Sequence, residues 1–175
     1  MKKFLQIIAI CLLFGVLFPG CKKKQLEEVV PTYGDVIAPG TEIDEKILER
    51  NGVRMILLEE FEDYSESPMG QAYEFLYAAE YVGVYGSRFA KNPQLDLESF
   101  SQYNSAEWCV QAEQKDGVWV VEYVDDTQNE PQAMVCAFYE SRDAYWMIQA
   151  YCPQELFAQC QEIMYACVLT AQILD

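Results

Sequence analysis

The chain has 175 residues, with 28 acidic against 12 basic side chains and a net charge of −16. That length allows one ordinary domain with extensions, and a hydrophobic content of 51% is ample for its core. The charge repels nucleic acid, and the absence of His removes Ser-His and Cys-His nucleophile pairs and any His-ligated metal.

Lys2 and Lys3 precede an apolar run from Phe4 to Phe18, interrupted at Gln6 and Gly15. At about 15 residues the run is shorter than the ~20 that span a bilayer as a helix. A basic start, a short apolar core and small residues describe a secretory signal. The run closes Leu17-Phe18-Pro19-Gly20-Cys21, which resembles a bacterial lipobox, where the chain is cut before a Cys that receives lipid. Gly20 and Cys21 match that pattern, whereas Phe18 and Pro19 stand where Leu and a small residue are commoner. Residues 1–20 are thus expected to be a lipoprotein signal peptide, with Cys21 the lipidation site. The other reading is a plain secretory signal, or a retained anchor, with Cys21 incidental. Lys22, Lys23 and Lys24 follow, and beside a lipid chain they favour an anionic membrane surface by about 1 kcal/mol each.

Residues 21–50 read as a lipid-anchored flexible tether. Pro31, Gly34, Pro39 and Gly40 break any periodicity, and Ile43, Ile47 and Leu48 allow a short helix over residues 41–50, ended by Asn51-Gly52. Residues 51–175 are then expected to form one domain. Val53, Met55 and Leu57 alternate with Ile56 and Leu58 in a first strand. A loop over residues 61–69 leads to strands over 72–78 and 81–85, the latter weakened by Gly83 and Gly86. Leu97, Phe100 and Tyr103 have helical spacing, which places a short helix over residues 97–104. A strand is expected over 108–113, where Trp108, Val110 and Ala112 alternate with polar positions and Cys109. Asp116-Gly117 signals a hairpin into a strand over 118–124, and a polar loop over 125–131 follows.

Residues 133–139 are apolar throughout, Ser141 and Arg142 lie in a turn, and a second apolar run over 144–151 is interrupted by Gln149 alone. Continuous apolarity in a hairpin implies strands covered on both faces. Pro153 suits a first helical turn, and Phe157, Cys160, Met164, Cys167 and Ala171 recur at three- and four-residue steps in a helix over 153–172. The expected fold class is α+β, an antiparallel sheet of about six strands sandwiched between helices.

Candidate sites are few. Cys109, Cys136, Cys152, Cys160 and Cys167 lack a C-x-x-C pair and read as buried reduced thiols that pack as small apolar groups. With a turn at Ser141-Arg142, Cys136 falls opposite Met147 rather than Cys152. The residues Asp125, Asp126, Thr127, Gln128, Asn129 and Glu130 offer oxygen ligands without the spacing of a calcium loop. Glu59, Glu60, Glu62 and Asp63 form a second acidic cluster. Tyr73, Tyr77, Tyr81 and Tyr85 suggest an aromatic face for sugars or peptides, or packing under a helix.

The order of these elements, ending in Asp143-Ala144-Tyr145-Trp146-Met147-Ile148-Gln149-Ala150-Tyr151-Cys152-Pro153 and a final helix, resembles the small lipoproteins of gut Firmicutes that share the PsbP-like fold. The resemblance covers residues 51–175 and implies an antiparallel sheet between helices. PsbP proteins assist photosystem II, and a nuclear import factor of this fold binds the GTPase Ran. No binding residue of either is matched, so neither role is implied.

The leading functional expectation is a non-catalytic, extracytoplasmic lipoprotein domain that binds or assists another envelope protein. It would meet the membrane through lipid on Cys21, with no cofactor, no metal and no nucleic acid partner. The alternative is an extracytoplasmic enzyme or cation-binding protein that uses the acidic loops.

Overall fold

A computed structural model describes residues 45–127 and 129–174. The expected signal peptide, Cys21 and the tether as far as residue 44 lie outside them. In chain order the elements are β1 (Glu45–Arg50), β2 (Val53–Leu58), β3 (Glu62–Asp63), β4 (Phe75–Ala78), β5 (Gly83–Ala90), α1 (Leu97–Glu107), β6 (Glu113–Lys115), β7 (Val118–Asp125), β8 (Gln132–Glu140), β9 (Ala144–Pro153), α2 (Phe157–Leu169) and β10 (Gln172–Ile173). Short 3-10 turns occupy Gly70–Ala72 and Gln154–Leu156.

Two dipeptides set hairpin registers. Asn51-Gly52 and Asp116-Gly117 hold both residues at positive φ, 51° and 83° in the first and 52° and 83° in the second. That is the type I′ turn, whose twist matches the twist of paired strands. It places Arg50 opposite Val53 and Lys115 opposite Val118. The Asp116-Gly117 hairpin is the expected one. The helix expected over 41–50 is instead a strand from Glu45 onward, because Asn51-Gly52 turns the chain back into a ladder. The first strand therefore lies within the stretch assigned to the tether.

The strands form two antiparallel sheets, one of three strands in the order β1-β2-β10 and one of seven in the order β3-β4-β5-β9-β8-β7-β6. The central pair β8–β9 is the hairpin expected at residues 133–151. Its turn falls later than expected, with Glu140 opposite Tyr145, so Cys136 sits opposite Gln149 rather than Met147, and Cys152 opposite Ala133. Residues 133–138 and 144–150 are all buried. They read as unbroken apolar runs because both faces of the sheet are covered.

One face carries Val84, Val135, Ala137, Ile148, Ala150 and Cys152, all fully buried against α2 residues Cys160, Met164, Cys167 and Val168. β2 turns Val53, Met55 and Leu57 into the same cluster. The other face carries Phe138, Tyr145 and Met147 under α1. Phe100 of α1 stacks on Tyr145 at 4.3 Å and meets the Phe138 ring edge-on at 6.1 Å. Helices on both faces make the expected α+β sandwich, with more strands than foreseen because short edge strands and the small sheet were not read from the sequence.

Both helices differ at their ends from expectation. Asp96 caps α1 by accepting the Ser99 backbone N–H at 2.8 Å. The helix ends with Cys109 at φ 58°, its N–H on the Ala106 carbonyl and the Val110 N–H on the Ser105 carbonyl. This paired arrangement closes a helix on a left-handed residue. It consumes residues 108–110, so the strand expected over 108–113 shrinks to β6. Pro153 has an extended ψ of 133° and ends β9 opposite Gln132. The helix expected from Pro153 therefore starts at Phe157, after the 3-10 turn.

Candidate functional site

The face under α1 is covered at one end only. Beyond Met147 the strands carry polar and aromatic side chains in cross-strand rows. Tyr85 lies opposite Gln149, which lies opposite Cys136. In the next row Gly83 lies opposite Tyr151, which lies opposite Met134, which lies opposite Tyr123. Residues two apart on a strand share a face, so these rows form one surface.

The rings are fixed by one another. Tyr73 meets Tyr85 at 4.3 Å and Tyr85 meets Tyr151 at 6.1 Å, both tilted. Trp108, held by the turn that ends α1, stacks on Tyr123 at 4.1 Å with ring planes 3° apart. Gly83 makes room for the Tyr151 ring, since a Cβ there would lie 2.1 Å from its Cζ. The Gln149 amide is buried and donates to the Tyr123 hydroxyl at 2.8 Å. A buried amide needs such a partner, and this bond fixes its orientation. Tyr73, Tyr85 and Tyr151 are half-buried and form the open part of the surface.

Burial pushes the Tyr85, Tyr123 and Tyr151 hydroxyls above the usual phenol range. The nearby Asp125 carboxylate adds to the rise at Tyr85 and Tyr123. These hydroxyls are therefore neutral hydrogen-bonding groups, not bases. Beside them the loop after β7 leaves a cleft of about 540 Å³, lined by Thr127, Asn129, Glu130 and Gln132.

Of the four tyrosines singled out in the sequence, Tyr73 and Tyr85 come together here. Tyr77 lies on the opposite face with the α2 cluster, and Tyr81 is exposed ahead of β5. Trp108, Tyr123, Gln149 and Tyr151 were not foreseen as part of this surface. Gln149 carried a signal, being the polar interruption in an apolar strand. The acidic loops do not converge. Asp125 accepts the Thr127 backbone N–H at 3.0 Å and its hydroxyl at 2.6 Å. In the other cluster Arg50 pairs with Asp63 at 2.5 Å and Glu66 at 3.2 Å, and Glu62 accepts the Tyr64 hydroxyl at 3.0 Å. Among the described residues, no three or more Cys, Asp or Glu side chains gather as a metal site would require. Cys21 lies outside the described residues. Cys136, Cys152, Cys160 and Cys167 are buried free thiols, but Cys109 departs from the expectation. It is exposed and is not one of the free thiols.

No family model matches the sequence, and no curated protein does. Among solved structures the fold is similar to the solution structure of cyanobacterial PsbP (CyanoP) from Synechocystis sp. PCC 6803, at a TM-score of 0.51 and 6% identity. The match covers 79% of this chain and 98% of that one. At this identity the likeness is one of architecture, and this chain has a PsbP-like fold.

Proposed function

We propose that this protein is a non-catalytic, membrane-tethered binding domain that presents the tyrosine-lined face to another component of the cell envelope. The observation that carries the reading is that face. It combines half-buried rings with neutral hydroxyls at the end of the sheet that α1 leaves uncovered. Interface centres favour such groups, which give large rigid contact area and retain a polar handle. The phenols are raised and the sequence has no His, so neither residue type supplies a general base there. Gly20-Cys21 behind a basic, apolar N-terminus supports lipid attachment at Cys21 and placement outside the cytoplasmic membrane. Lys22, Lys23 and Lys24 would hold the start of the tether against anionic headgroups, while the acidic body is held off by the same charge. Among the described residues no helix is long and apolar enough to cross a membrane.

The test is crosslinking in intact envelopes with three chains, namely wild type, Cys21→Ala, and Tyr73→Ala/Tyr85→Ala. Wild type should sediment with membranes and yield a discrete crosslinked partner. Cys21→Ala should leave the membrane fraction. The double tyrosine variant should stay membrane-bound and lose the crosslink. A Cys21→Ala chain that remains in the membrane removes the anchor, and an unchanged crosslink in the tyrosine variant removes the binding face.

A further inference from the structure

The tyrosine face continues past its last row of rings into acidic ground. Beyond the row of Tyr151, Met134 and Tyr123, Asp125 lies opposite Gln132, which lies opposite Pro153. Asp125 is two residues from Tyr123 on β7, and Gln132 is two from Met134 on β8, so both share the face of the rings. Glu122, out of phase with them, accepts the Tyr165 hydroxyl of α2 on the other face. Asp126 and Glu130 are exposed in the loop between β7 and β8. The Gln132 amide donates to the Glu130 carbonyl at 3.2 Å, which ties that loop to the row.

Among the described residues no Lys or Arg stands in these rows. Arg88 lies over the Trp146 ring at 6.0 Å and Lys91 over the Tyr145 ring at 5.8 Å, both at the other end of the sheet. Lys115 donates to Glu122 at 3.3 Å, Arg142 lies in the β8–β9 turn, and Lys46, Arg50 and Arg54 belong to β1 and β2. The face thus sets the rings of Tyr73, Tyr85 and Tyr151 beside carboxylates and supplies no cation of its own.

We propose, resting on the binding face described above, that its occupant is an arginine-bearing segment of a partner protein, with one guanidinium laid on the tyrosine rings and another at Asp125 and Glu130. Aromatic rings attract cations through their negative faces, and a nearby carboxylate strengthens the same preference. Arg suits the site better than Lys. Its planar head stacks on a ring, and its five donors reach carboxylate and amide oxygens together. The size of the face calls for a segment and not a small free cation. Tyr85 on β5 and Asp125 on β7 are three strand spacings apart, about 14 Å, which is more than one side-chain head covers. The net charge of −16 draws a basic partner in from a distance and repels an acidic one.

The experiment titrates the full chain into a dye-labelled, blocked peptide of alternating Gly and Arg, about six residues long so that it spans the face. Fluorescence anisotropy reads the binding. A peptide with citrulline in place of Arg keeps the shape without the charge, and a neutral chito-oligosaccharide tests the rings as a sugar platform. The Arg peptide should bind, more weakly as ionic strength rises. The citrulline peptide should bind at least about tenfold more weakly. Asp125→Asn/Glu130→Gln should weaken the Arg peptide by about fivefold or more. Asn keeps the Oδ1 acceptor that holds Thr127, so the loop survives that change. In intact envelopes this charge-neutral variant should lose the crosslinked partner, as Tyr73→Ala/Tyr85→Ala does. If only the tyrosine variant loses it, the binding face stands and the arginine proposal falls. If neither loses it, both fall. The proposal is also overturned if the citrulline peptide binds as well as the Arg peptide, or if the oligosaccharide binds and the Arg peptide does not. A rise in affinity for the Arg peptide on replacing Lys22, Lys23 and Lys24 by Gln would make the tether the occupant and overturn it too.

Discussion

The two faces of the large sheet solve the same burial problem with different chemistry. The α2 face is dry. Val84, Val135, Ile148, Met164 and Val168 are all at 0% exposure there, packed with the rings of Phe61, Phe75 and Trp146 and with the Cys160 and Cys167 thiols. Its one polar liability is the Trp146 indole N–H, the single buried side-chain nitrogen or oxygen without a partner among the described residues. The α1 face buries polar atoms too, but it satisfies them. Gln149 bonds Tyr123, and the Tyr145 hydroxyl donates to the Leu95 carbonyl at 2.5 Å. One face is organised mainly by volume, with the Tyr139 hydroxyl donating to the Val168 carbonyl, and the other by hydrogen bonds among its side chains, and the second is the one left partly open.

That contrast can be broken at three points. Met164→Ala on the dry face should cost about 2–5 kcal/mol, because the lost side chain leaves a cavity among rigid neighbours. Urea unfolding at neutral pH reads this as a lower midpoint at unchanged slope. Tyr123→Phe on the other face should cost about 1–3 kcal/mol, since it leaves the buried Gln149 amide without its acceptor. The double variant Tyr123→Phe/Gln149→Met should then recover part of that loss. If the two single losses simply add, the hydrogen bond is not what holds this face. Trp146→Phe should be the mildest of the three, below about 1 kcal/mol, because lost ring volume and removal of an unpaired donor oppose each other. A large loss there would mean that the dry face depends on the indole for more than bulk.

The parts of the fold that could be read from the sequence are those where the local signal and the tertiary environment agree. The apolar runs of β8 and β9 and the Asp116-Gly117 turn are such cases. So is the α2 stripe, where Phe157, Cys160, Met164 and Cys167 are all buried as the spacing required, although the helix ends at Leu169 and Ala171 is buried beyond it. The failures have identifiable causes. Ile47 and Leu48 fit a helix stripe and a strand equally well over so short a segment, and the pairing of β1 with β2 decided the matter. Cys109 occupies a left-handed position usually given to Gly or Asn, so the end of α1 carried no visible marker. The tyrosine surface was half legible. Tyr73 and Tyr85 stood out by type, but Tyr123 and Tyr151 join them only through the register of four strands, which no local pattern encodes. The acidic loops attracted notice by charge alone, and the fold gives their carboxylates to neighbours such as Arg50 and Thr127.

β2 has a further consequence, and it is mechanical. It is flanked by β1 on one edge and β10 on the other, with Glu45 opposite Leu58 and Ile173 opposite Val53, which sets the two ends of the described chain at opposite ends of β2, about 20 Å apart. Just ahead of β10, the Thr170 hydroxyl continues the edge. It accepts the Ile56 N–H at 3.2 Å and donates to the Ala166 carbonyl at 2.8 Å. Tension transmitted through residue 44 therefore enters β1, crosses the ladder to β2, and reaches the sandwich through the buried side chains of Val53, Met55 and Leu57 and by way of Thr170 and α2. The small sheet acts as a coupling in series with the core. β1 can peel from β2 under load, whereas β2 stays seated because Val53, Met55 and Leu57 are part of the dry face.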